Sequence, residues 1–102
     1  MKMAIITITQ NGDKIATTIE KLLKGDVTIF SKNNSENFVF KDVVKKAFEE
    51  FEAIVFITST GIAVRSIAPY IKSKDKDPAV IVIDNSGNYV ISLLSGHLGG
   101  AN

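Results

Sequence analysis

A chain of 102 residues, 45% hydrophobic and 23% charged, is one α/β-sized domain with a single well-supplied core, far from the disordered regime. Twelve Lys and Arg against eleven Asp and Glu leave a net charge of +1, which gives no footprint for nucleic acid or an anionic membrane, so an anionic ligand has to be caught locally. The absence of cysteine excludes disulfides, thiolate metal sites and cysteine nucleophiles, and a single histidine excludes a multi-histidine zinc site.

The apolar pattern alternates between strand and helix periods. Residues 3–9, MAIITIT, form a β-branched run suited to a strand covered on both faces. Asn11-Gly12-Asp13 offers a turn and cap before a helix carrying Ile15, Ile19, Leu22 and Leu23, which Lys24-Gly25 closes with a cation and a glycine free to turn left-handed. A second strand, DVTIFS, follows at once, and residues 32–37 read as a polar loop. Phe40, Val43, Val44, Ala47, Phe48 and Phe51 then line one face of a second helix. The third strand, residues 53–59, runs into Gly61 and a helix to about Ile71 whose last turn Pro69 kinks or shortens. Residues 72–77, KSKDKD, read as a solvated loop. Strands at 79–84 and 89–94 are joined by Asn85-Ser86-Gly87-Asn88, too short a link for anything but a hairpin, with Asp84 serving the turn. The expected fold is a three-layer α/β sandwich, flavodoxin- or Rossmann-like, with a mostly parallel sheet that the C-terminal hairpin makes mixed. No apolar run reaches the roughly 18 residues of a membrane helix and the N-terminus opens into a strand, so a cytoplasmic location is expected.

Open α/β sheets bind ligands beyond the carboxyl ends of their parallel strands. Two strand ends carry suitable residues: Thr7 to Gly12, and Thr58-Ser59-Thr60-Gly61-Ile62-Ala63-Val64-Arg65. In the second, free N–H groups at the helix start attract phosphate or carboxylate, and a cation early in a helix opposes the dipole unless an anion lies beside it. The plainer alternative is that Ser59 or Thr60 caps the helix and Arg65 points to water. No Walker loop or G-x-G-x-x-G is present. The chain ends in SGHLGGAN, where Ser95, Gly96, Gly99 and Gly100 let backbone approach a ligand and His97 is the side chain that titrates near neutrality. His97 is then a candidate general base for water attacking an ester or lactone, or else a cap or packing residue in a hinge.

Residues 59–102, STGIAVRSIAPYIKSKDKDPAVIVIDNSGNYVISLLSGHLGGAN, resemble the N-terminal domain of the CbiG family of cobalamin-biosynthesis proteins, the cobalt-precorrin-5A hydrolases. T-G-I-A-V-R, I-A-P, K-D-P-A-V, a hairpin and S-G-H-L-G-G-A-N occur in the family's order across nearly half the chain, while residues 1–58 fit only loosely. The resemblance implies opening of the δ-lactone of cobalt-precorrin-5A with loss of acetaldehyde in anaerobic corrin synthesis. Cobalt would arrive inside the substrate, with no protein-held metal or cofactor. Family members are longer, so the domain 1–102 is expected to lack a C-terminal domain of the same protein, and the partners implied are that domain and the cobalt tetrapyrrole, with a homo-oligomer left open. Under this reading His97 is the catalytic base, the N–H groups of Gly96 to Gly100 serve a tetrahedral oxyanion, and Ser59, Thr60, Gly61, Arg65, Ser95, Gly96, Gly99 and Gly100 bind substrate. A non-catalytic tetrapyrrole-binding or domain-docking module, and a generic anion- or nucleotide-binding domain, are the competing functions. If the strand at 79–84 runs parallel to that at 53–59, the hairpin carries the chain back toward the other end of the sheet. A cleft shared by His97 and Arg65 then requires the hairpin to bend out of the sheet.

Overall fold

The structure is a computed structural model that describes residues 1–94. Five strands form one sheet: β1 (Lys2–Thr7), β2 (Asp26–Ser31), β3 (Ala53–Ile57), β4 (Ala79–Ile83) and β5 (Val90–Leu94), in the spatial order β2-β1-β3-β4-β5. The first four run parallel, and β5 returns antiparallel along β4 with a register shift between Val80 and Ile81. The expected mixed α/β sheet is therefore observed, and the order 2-1-3-4-5 is the flavodoxin-like one.

Helix α1 (Gln10–Leu23) covers one face, and α2 (Phe40–Glu50) with α3 (Thr60–Ile67) covers the other. Right-handed crossovers demand this division, because β1 to β2 steps one way across the sheet while β2 to β3 and β3 to β4 step the other. On the α1 side, Ala16, Ile15 and Ile19 pack against Ile5, Val55 and Ile57. On the opposite side, Val44 and Ala47 of α2 and Ala63 and Ile67 of α3 pack on Ala4, Ile6, Ile54, Phe56, Val80 and Val82. Each fully buried Ile or Phe in these layers contributes about 1.5–3 kcal/mol relative to exposure. All five residues of β3 are buried, as expected for a central strand covered on both faces, whereas Val90 and Ile91 of the edge strand β5 are exposed.

Several local expectations shift. α1 starts at Gln10 because Thr9, not the Asn11-Gly12-Asp13 segment, is the cap: its Oγ1 accepts from the Gly12 N–H at 2.9 Å. Gly12 lies inside the first turn, where a Cβ would fall well inside 3.0 Å of Thr7 Oγ1, so close packing rather than turn geometry requires it. The left-handed residue that ends α1 is Lys24 (φ 50°), not Gly25, because the helix stops at Leu23 and the Lys24 N–H still donates to Glu20 O. Residues 32–34 of the predicted loop form a 3-10 turn that Ser31 caps. α3 ends at Ile67, and Ala68–Tyr70 continue as a 3-10 turn around Pro69, which shortens the helix as its missing N–H dictates. The 72–77 loop is not wholly solvated: Asp77 is buried, and both its carboxylate oxygens accept the Lys72 N–H, at 3.0 and 2.9 Å.

Candidate functional site

In this strand order the connections diverge at β1 and β3, so the natural ligand crevice lies beyond their carboxyl ends. The chain there is Thr7-Ile8-Thr9 on one side and Thr58-Ser59-Thr60 on the other. The hydroxyls of the first segment are spent internally. Thr7 is fully buried and its Oγ1 donates to Thr9 O, while Thr9 Oγ1 both caps α1 and donates to Asn85 Oδ1 at 3.2 Å. Asn11 Nδ2 donates to Asn85 O, so the hairpin turn is fastened over the start of α1 and closes that side of the crevice.

The second segment is open. Ser59 caps α3, its Oγ accepting from the Ile62 N–H at 3.4 Å, and the buried Thr58 donates to Ser59 O at 2.9 Å. Thr60 and Gly61 are exposed, and nothing stands within 4 Å of where a Gly61 side chain would project. The N-terminal turn of α3 is thus accessible, as anion binding requires, although Ser59 already satisfies one of its N–H groups. Arg65 needs a different explanation from the one its sequence position offered. Because α3 is only eight residues long, Arg65 falls in its last turn, where a cation suits the dipole. The dipole therefore gives no reason to place an anion beside it.

What Arg65 does border is a groove. With Phe40, Lys41, Ile62, Ser66, Pro69 and Tyr70 it lines a cavity of about 360 Å³ between α2 and α3. A second cavity of about 300 Å³, lined by Ile8, Lys32, Phe38, Phe40 and Ile62, adjoins it over the shared Phe40 and Ile62. Together they make a furrow that runs from Tyr70 along α3 to Ile62, across the first turn of α2, to Ile8 and Lys32 beyond the carboxyl ends of β1 and β2. The Phe40 ring is held from behind, 6.3 Å from the fully buried Phe56 and 6.4 Å from Phe38, so the floor is aromatic and seated on the core. Lys32, Lys41 and Arg65 stand on the walls. The sequence pointed to Arg65 as a candidate, but placed Phe40 only in the core and Lys32 in a loop. The available signal was Phe38-Val39-Phe40, an apolar run beginning before the helical stripe needs it, with Val39 half-exposed.

At the hairpin, Asp84 accepts the Tyr89 N–H at 2.7 Å and the Ser86 hydroxyl and N–H. The Ser86 hydroxyl, then the Tyr89 amide, hold its carboxyl below the ordinary value of 3.8. This is turn chemistry, as expected for that position. Among the described residues no group of three or more His, Cys, Asp or Glu could hold a metal ion, and no helix is long and apolar enough to cross a membrane.

Ser95, Gly96, His97, Gly99 and Gly100 lie outside the described residues. The last described residue, Leu94, pairs with Val80 near the amino-terminal end of β4, whereas Ser59, Thr60 and Gly61 lie at the carboxyl end of β3. The hairpin continues the sheet rather than leaving it.

The profile of the family described as Cobalamin synthesis G N-terminal matches residues 42–102. Cobalt-precorrin-5A hydrolase of Salmonella typhimurium is 41% identical over 105 residues, covering 98% of this chain and 30% of that protein. The protein of the same name from Priestia megaterium is 40% identical over 110 residues, covering 97% of this chain and 29% of its own length. A crystal structure of a cobalamin biosynthesis protein G homolog from Sulfolobus solfataricus superposes with a TM-score of 0.75 at 30% identity, over 99% of this chain and 31% of that one. The chain thus spans about 30% of the curated relatives it matches. The match reaches over the strand-end loop, Arg65 and the hairpin together, and the chain belongs to the cobalamin synthesis G N-terminal family.

Proposed function

We propose that the chain is the substrate-holding N-terminal domain of a cobalt-precorrin-5A hydrolase, which opens the δ-lactone of cobalt-precorrin-5A with loss of acetaldehyde in cobalamin synthesis. The observation that carries this reading is the position of T-G-I-A-V-R, within the family match, at the carboxyl end of β3 beside the furrow. Arg65 and the N–H groups around Thr60 and Gly61, with Ser59 fixing the helix start, hold a carboxylate of the macrocycle. In the hydrolytic step water adds to the lactone carbonyl and the ring C–O bond breaks; the freed oxygen closes to a carbonyl as its carbon–carbon bond to the macrocycle breaks, releasing acetaldehyde, and the macrocycle keeps that electron pair and takes up the proton removed from water. His97 is the proposed base, and backbone N–H groups of Gly96, Gly99 and Gly100 beside Ser95 receive the oxyanion. The cobalt belongs to the substrate.

A second reading has a specific observation behind it. Leu94, the last described residue, pairs with Val80, at the end of the sheet away from Ser59. The domain then holds the tetrapyrrole or docks the rest of the protein, and the base comes from elsewhere. Replacing His97 with Ala in a relative of full length separates the two. Loss of acetaldehyde release with cobalt-precorrin-5A binding intact supports His97 as base. Unchanged turnover rules that role out and leaves the holding function.

A further inference from the structure

The strand-end motif makes use of Ser59, Thr60, Gly61 and Arg65 but leaves the floor beside them unexplained. The two cavities that meet over Phe40 and Ile62 extend past Lys41 and Arg65 in one direction and past Phe38 and Lys32 in the other. No carboxylate among the described residues lines either of them. Three like charges around one apolar surface repel one another, and the arrangement becomes favourable when a ligand brings compensating anions. The ligand must also cover a flat ring that Phe56 and Phe38 hold in place. A small anion such as citrate meets the cations and leaves Phe40 wet, while an apolar molecule covers Phe40 and leaves the cations unmatched.

We infer that Phe40 and Ile62 form a stacking floor for the face of a planar conjugated polycarboxylate, with Lys32 anchoring carboxylates at one end of the ring and Lys41 with Arg65 at the other. This rests on the tetrapyrrole reading above and deepens it, since it assigns three residues, Lys32, Phe40 and Lys41, outside the strand-end motif to selection of the ligand. Stacking selects a flat ring, and the opposed cations select one whose acid groups project on both sides.

The test is a fluorescence titration of the 102-residue chain with uroporphyrin, a planar polycarboxylate, with citrate as competitor. Lys32→Gln and Lys41→Gln are each expected to weaken binding about 2- to 5-fold at low ionic strength, the range of exposed charge pairs. The loss should shrink as salt is raised. Phe40→Leu is expected to weaken binding roughly 3- to 10-fold, while Phe40→Tyr keeps the plane and stays near the parent. Citrate should compete poorly. Both lysines are exposed, so their variants do not threaten the core, and a melting curve on each Phe40 variant separates folding from binding. If Lys32→Gln and Phe40→Leu bind within about twofold of the parent while Arg65→Gln is weakened, the furrow assignment fails and the strand-end reading stands. If the parent does not bind uroporphyrin, the furrow assignment fails as well, and binding of cobalt-precorrin-5A then decides whether the broader reading fails with it.

Discussion

Replacing Gly12 with Ala tests how the start of α1 is seated on the sheet. A methyl there would fall well inside 3.0 Å of Thr7 Oγ1, 3.0 Å from Thr9 Oγ1 and 3.3 Å from Ile57 Cγ2. None of these neighbours yields easily. Thr7 and Ile57 are fully buried, and Thr9 is bound both to the Gly12 amide and to Asn85. Relief requires the helix start to lift or Thr7 to leave its rotamer, an overpacking cost of about 1–3 kcal/mol. The gain from replacing helical glycine with alanine is at most ~1 kcal/mol. The expected net loss is about 1–2 kcal/mol, or a fall in Tm of roughly 4–16 °C for a domain of this size. Circular dichroism during thermal and urea unfolding measures it. Gly61→Ala is the control, because the space around Gly61 is open: its stability should stay level or rise by up to ~1 kcal/mol. Adding Thr7→Ala to Gly12→Ala removes the nearest clashing atom and should recover part of the loss. An unchanged or raised Tm for Gly12→Ala would refute the packing argument.

The two helix caps should differ in strength. Thr9 holds the Gly12 amide at 2.9 Å and also the hairpin through Asn85, whereas Ser59 holds the Ile62 amide at 3.4 Å, so urea unfolding should show Thr9→Ala costing about 1–2 kcal/mol and Ser59→Ala about 0.5. Asp77→Ala strips the buried acceptor of the Lys72 amide and should destabilise by about 1–3 kcal/mol, with Asp77→Asn recovering part of it because one oxygen remains; equal losses would contradict the contact. Asp84 is held below its ordinary pKa by Ser86 and Tyr89, so its contribution is present above the unfolded value of 3.8 and disappears as pH falls through the lower folded value. Hydrogen exchange at the Tyr89 amide should accordingly lose protection below about pH 3.8 in the parent, and show no such pH step in Asp84→Asn.

The fold was legible because each crossover and the final hairpin has its own local signal. Continuous β-branched runs at 3–9 and 53–59 mark buried parallel strands, and four residues between 84 and 89 leave no room for a crossover. The misreadings occurred where tertiary contact outranked local chemistry. Asn11-Gly12-Asp13 resembles a turn, yet Thr9 captures the Gly12 amide and the glycine serves the sheet. Asp77 sits in a charged run, yet its carboxylate closes the loop on Lys72. Arg65 stood out in the sequence for a reason the short α3 removes. The furrow was invisible because its residues come from the ends of β1 and β2, the start of α2, and α3 with the 3-10 turn that follows it, and Phe40 obeys the helical stripe while also lining the furrow. Periodicity assigns a residue to one face, and a half-buried aromatic at a helix start serves two.

A tetrapyrrole site at the carboxyl end of this sheet is best probed by an anaerobic titration of the isotope-labelled 102-residue chain with cobalt-precorrin-5A, followed by amide resonances. Saturable shifts or broadening are expected at Lys32, Phe38 to Lys41 and Ser59 to Ser66, with the edge strand β5 unaffected. Perturbation confined to β5, or none at saturating ligand, would contradict a tetrapyrrole site at the carboxyl end of this sheet.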